Sequence, residues 1–104
     1  MNQELTPVKY LLGMWKTMPG YPTKLDTLYE IYNFLYKNEK KEFSEQTLNG
    51  IWYDEKGVAN WKGTRRELWV KELISDGAIV VSRTEQFKGE DKDWYRIENN
   101  PFCG

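Results

Sequence analysis

Short polar turns punctuate this chain so often that few long uninterrupted elements can form. Lys37-Asn38-Glu39-Lys40, Asp54-Glu55-Lys56-Gly57, Lys62-Gly63-Thr64 and Asp76-Gly77 are built from charged or small polar residues, three of them with a glycine able to take positive φ. Between them run segments rich in Tyr, Ile, Phe, Val and Trp, types suited to a half-buried pleated surface. The rhythm predicts strands over Met14–Met18, Leu25–Lys37, Lys41–Tyr53, Val58–Trp61, Arg66–Ile74, Ala78–Phe87 and Trp94–Glu98, with charged Lys88 to Asp93 as a loop. In Leu25–Lys37 a helical reading competes, because Leu28, Ile31, Tyr32 and Leu35 fall at helical spacing. The aromatic content and the neighbouring turns favour strand. Thr6-Pro7 has the form of a helix start, with Thr as N-cap and Pro at the first helical position, and Gly13 limits that helix to a turn or two.

The fold expected is therefore all-β. About seven strands form an antiparallel meander that curls into a small barrel, preceded by a short N-terminal helical turn. With 104 residues it makes one domain, of which 99–104 is a tail. Seven strands from so short a chain leave closure incomplete, and an open edge invites a partner strand.

Tyr10-Leu11-Leu12-Gly13-Met14-Trp15-Lys16, followed by Gly20-Tyr21-Pro22 and Thr27-Leu28-Tyr29-Glu30-Ile31, resembles the opening of the lipocalin, fatty-acid-binding and nitrobindin-like barrels, the calycin group. The resemblance implies a lipocalin-like barrel whose opening Trp, here Trp15, is covered by a cation from the last strand, here Arg96. It also implies ligand binding inside the barrel. The chain has no histidine, so the His-ligated haem of nitrobindin-like members is not expected, and no other cofactor is.

Without histidine there is no Ser-His or Cys-His nucleophile, and one cysteine cannot build a zinc site. Cys103 reads as an inert tail thiol, and a lone cysteine favours a reducing, cytoplasmic setting. No apolar run reaches the roughly 20 residues that span a bilayer, and no signal peptide is visible. The net charge of −1 provides no basic excess for phosphate neutralisation. Nucleic acid is not an expected partner on that ground, although Lys62-Gly63-Thr64-Arg65-Arg66 lies between Trp61 and Trp69.

Aromatics make up 15% of the chain and supply the candidate pocket. Trp15 and Arg96 close one end, and Tyr29, Trp52 and Trp69 form walls. Arg83, paired with Glu72 on an adjacent strand, orients a polar headgroup. The function expected is non-enzymatic binding of a small apolar or aromatic ligand. The alternative is a protein-interaction module, a homodimer included, that pairs through an open sheet edge or exposed aromatic surface. An enzyme using carboxylate and tyrosine, with Glu30, Glu72 or Glu85 as acid or base, is the third class.

Overall fold

A computed structural model describes residues 8–102, and its longest element is a helix where the turn rhythm predicts a strand. Helix α2 (Lys24–Lys37) starts in a reciprocal capping box. The Asp26 N–H donates to Thr23 Oγ1 at 3.1 Å, and the Thr23 N–H donates back to Asp26 Oδ2 at 2.9 Å. Leu28, Ile31 and Leu35 then recur at helical spacing and are buried. That stripe and the cap override the β preference of the tyrosines, which spread round the rest of the helix. The competing helical reading of this segment is the correct one.

The same correction applies further on. Within Lys41–Tyr53 the only β contacts are two isolated bridges, Phe43 to Tyr95 and, at the very end, Tyr53 to Ala59. Ser44 then caps helix α3 (Glu45–Ile51), donor and acceptor again exchanged with Thr47. Arg66–Ile74 lies in helix α4 (Arg65–Ser75), capped by Thr64 and buried through Val70 and Leu73. Asp76-Gly77 ends that helix: Asp76 is its C-cap and Gly77 follows at φ 84°, the left-handed geometry of a helix terminus. Met14–Met18 holds a single 3-10 turn, Trp15–Thr17, and Val58–Trp61 makes only the bridge Tyr53↔Ala59 around the Asp54–Gly57 turn.

Among the described residues one two-stranded sheet forms, a hairpin. Strands β1 (Ile79–Phe87) and β2 (Glu90–Ile97) pair antiparallel, with an irregularity between Val81 and Arg83. The charged Lys88–Asp93 segment is largely strand, since the turn is Lys88-Gly89 alone. The structure is thus mixed α/β, four helices and a two-stranded open sheet, rather than a seven-stranded lipocalin-like barrel. A two-stranded ribbon encloses no interior, so the barrel pocket does not exist. The core lies instead between the helices and the hairpin base, where Leu28, Ile31, Phe43, Leu48, Leu73 and Ile79 are buried together. Phe43 secures the join: its N–H donates to the Tyr95 carbonyl at 2.9 Å and its carbonyl accepts from the Tyr95 N–H at 2.7 Å.

A short helix α1 (Val8–Leu11) docks on α2 through Tyr10, stacked on Tyr29 at 4.4 Å between centroids. The Tyr10 hydroxyl donates to buried Asp26 at 2.7 Å, and Lys9 lies 3.6 Å from the same carboxylate. Burial alone would raise the Asp26 pKa. Hydrogen bonds from Thr23 and Tyr10, with the Lys9 charge, outweigh it and hold the carboxyl below its ordinary 3.8. A group depressed in the folded state stabilises above its unfolded pKa and loses that contribution as pH falls through the folded one. Thermal melts from pH 7 down to 2 should therefore show a loss of stability at the acid end that is smaller in Asp26→Asn. An unchanged slope in that variant would remove Asp26 from the account. The expected helix start at Thr6-Pro7, and Cys103, lie outside the described residues. No helix among them is long and apolar enough to cross a membrane.

Candidate functional site

The predicted site residues do not converge. Trp15 is half-buried, edge-on to Tyr10 and Tyr29. The cation over its ring is its neighbour Lys16, 5.4 Å from the centroid. Arg96 pairs with Glu98 and lines a different hollow, beside Tyr32 and Tyr36. Tyr29 packs into the aromatic cluster under α1. The Trp69 indole donates to the Pro22 carbonyl at 2.9 Å, which ties α4 to the loop before α2. Glu72 and Arg83 are not neighbours on a sheet: Glu72 is exposed on α4, and Arg83 on β1 binds Glu42 at 3.1 Å and Glu85 at 3.3 Å. Of the predicted set, Trp15 touches Tyr29, and Trp15 and Trp52 line one surface groove.

What sequence reasoning missed is a buried polar node around Glu30. Glu30 Oε1 accepts from the Trp52 indole at 3.0 Å and Arg66 Nε at 3.1 Å. Oε2 accepts from Arg66 Nη2 at 3.2 Å and from the Tyr21 hydroxyl. The Arg66 guanidinium lies over both the Tyr21 and Trp52 rings. Burial, then the bond to Glu30, raises the Tyr21 pKa and keeps its phenol protonated. All four donors aim at one carboxylate. The node fastens α2, α3, α4 and the preceding loop. Among the described residues, no group of three His, Cys, Asp or Glu side chains could hold a metal ion.

The open feature is a cleft between the α3–α4 pair and the hairpin. Its deep part, about 220 Å³, has an apolar floor of Phe43, Leu48, Val70, Ile74 and Tyr95, with Trp61 at the side. It continues past Glu45 and Tyr95 toward the hairpin tip, where Phe87, Glu90, Asp91 and Asp93 line it. Phe87 is 56% exposed and Val81 50%. Along the whole cleft stand five carboxylates, Glu45, Glu67, Glu90, Asp91 and Asp93, against the lysines Lys62, Lys71 and Lys92. Lys62 is already engaged, 3.2 Å from Glu45 and 3.7 Å from Glu67. The Gly63 N–H and the Lys71 and Lys62 charges hold Glu67 below its usual range, so it stays ionised.

Two helices followed by a hairpin have the element order of helix-turn-helix proteins that carry a wing, in which the second helix enters the major groove. Two features here oppose that use. The connection from Trp52 to Thr64 is long and carries its own bridge, where such motifs use a turn of about 3–4 residues. The cleft between α4 and the hairpin is net acidic, five carboxylates against three lysines, which disfavours phosphate contact there. Fold order alone does not assign a function. Comparison with protein-family models, with curated proteins and with solved structures found no match for this chain.

Proposed function

We propose that this protein is a non-enzymatic interaction module, and that the cleft between α4 and the hairpin docks a basic, amphipathic segment of a protein partner. One observation carries the reading: an apolar floor deep enough for a side chain opens onto a hairpin tip where Glu90, Asp91 and Asp93 face the single cation Lys92. Such a floor favours one or two apolar anchors, and the rim favours Lys or Arg beside them. The exposed Phe87, which lines the hairpin end of the cleft, supports docking there. This keeps the interaction reading of the sequence and moves it from a barrel edge to the cleft. A cytosolic setting goes with it, resting on the single cysteine.

The test uses two labelled amphipathic helical peptides of equal length, one of Leu and Lys and one of Leu and Glu, followed by fluorescence anisotropy. The Leu/Lys peptide should bind, weakening as salt rises. Glu90→Lys with Asp93→Lys should weaken it by about 10-fold or more, and Ile74→Arg should abolish it by filling the floor. Indifference to all three substitutions, or tighter binding of a duplex DNA than of either peptide, would remove the proposal.

A further inference from the structure

We propose that the groove between the Trp15–Thr17 turn, α2 and the end of α3 binds a small anion that carries an aromatic ring. The groove holds about 380 Å³, within the range of small-ligand sites, and shares no lining residue with the cleft. Its charge is what distinguishes it. The lining contains two cations, Lys16 and Lys37, and among the described residues neither has a carboxylate partner. It contains one carboxylate, Glu30, whose oxygens are filled by Arg66, Trp52 and Tyr21 and whose charge Arg66 balances. A chain with more acidic than basic residues thus carries a groove whose unpaired charge is wholly positive.

Flat surfaces stand beside that charge. Trp52 is buried in the wall, Trp15 is half-buried, and Tyr53 is 58% exposed, although it lies next to a buried tryptophan. Trp52 is covered by Arg66, so a base or indole ring would stack on exposed Tyr53 and the open part of Trp15, and cations at the rim then select an anionic substituent. Both helix C-termini border the groove, and part of their negative end charge is taken up locally. The backbone N–H and side-chain amide of Asn38 both donate to the Phe34 carbonyl, and the Trp52 N–H satisfies Leu48. The Asn33 side chain adds a polar group to the same lining. A ring-bearing carboxylate and a ring-bearing phosphate ester meet these requirements equally.

The experiment follows the indole N–H signals of the full chain by 15N–1H NMR during titration with four probes: indole-3-acetate, adenosine monophosphate, tryptamine and inorganic phosphate. Indole-3-acetate, adenosine monophosphate or both should shift the Trp15 and Trp52 signals and leave Trp69 and Trp94 unmoved, the tighter of the two naming the anion. Tryptamine, the same ring with a cation, should bind about 10-fold more weakly than indole-3-acetate. Lys16→Gln with Lys37→Gln should weaken the ring-bearing anions by about 5-fold or more, with the spectrum otherwise that of the folded chain. Tryptamine matching indole-3-acetate, phosphate alone matching adenosine monophosphate, or no shift at millimolar probe would each overturn the proposal.

Discussion

Glu30→Ala is expected to destabilise the protein by about 3 kcal/mol, because it strands a guanidinium rather than merely deleting a contact. The Glu30 side chain is 9% exposed and that of Arg66 23%, so neither charge is well hydrated in the folded state. Breaking such a pair from one side costs roughly 3–5 kcal/mol, and the partial exposure of Arg66 puts the loss at the lower end. The Trp52 indole and Tyr21 hydroxyl lose their acceptor at the same time. For a chain of this size a loss of about 3 kcal/mol lowers the melting temperature by roughly 12–24 °C. The companion variant separates charge from packing. Glu30→Met with Arg66→Met removes both ions and should recover part of the loss, but not all, since Trp52 and Tyr21 stay unpaired. A melt shifted by less than about 4 °C in Glu30→Ala would mean that water reaches the guanidinium and that the node is weak.

That node was illegible in the sequence for a definite reason. Tyr21, Glu30, Trp52 and Arg66 are far apart in the chain and approach only because α2, α3 and α4 are helices. A strand reading spaces Glu30 and Arg66 along separate hairpins and gives no cause to pair them. Locally, the information was present. Thr23 with Asp26 at N3, and Ser44 with Thr47 at N3, are start signals that precede apolar periodicity. They were outweighed by tyrosine and tryptophan content, which reflects burial more than backbone preference in a protein whose core is this aromatic. The late hairpin was legible because Ile79, Val80 and Val81 have β-branched side chains and no competing helix cap precedes them. Its partner strand was read too short, since Glu90 to Asp93 is charged. Those residues pair across a ribbon that is wet on both faces: Glu85 lies opposite Lys92, and Thr84 donates to Asp93 at 2.9 Å. The cleft could not be foreseen, as it exists only where a helix pair meets that ribbon.

Phe102→Ala should match or exceed the Glu30 substitution, at about 3–5 kcal/mol, by emptying the centre of the aromatic cluster. Phe102 is 0% exposed. Its ring is edge-on to Tyr10 and Tyr29 at 5.8 and 5.0 Å and stacked on Tyr32 at 5.3 Å. Three tyrosines on two helices thus share one phenylalanine. Alanine leaves a space that α1 can fill only by moving, and α1 is fixed by Tyr10 while Val8 and Leu11 are more than 60% exposed. The variant should therefore loosen α1 before the rest of the fold. Trypsin should cut after Lys9 and Lys16 faster in Phe102→Ala under conditions where the hairpin lysines are cut at the parent rate. Phe102→Leu keeps most of the volume and should cost less than half as much. Equal cutting at Lys9 and Lys92 in Phe102→Ala would show global unfolding rather than release of one helix, and would deny α1 a separate dependence on this ring.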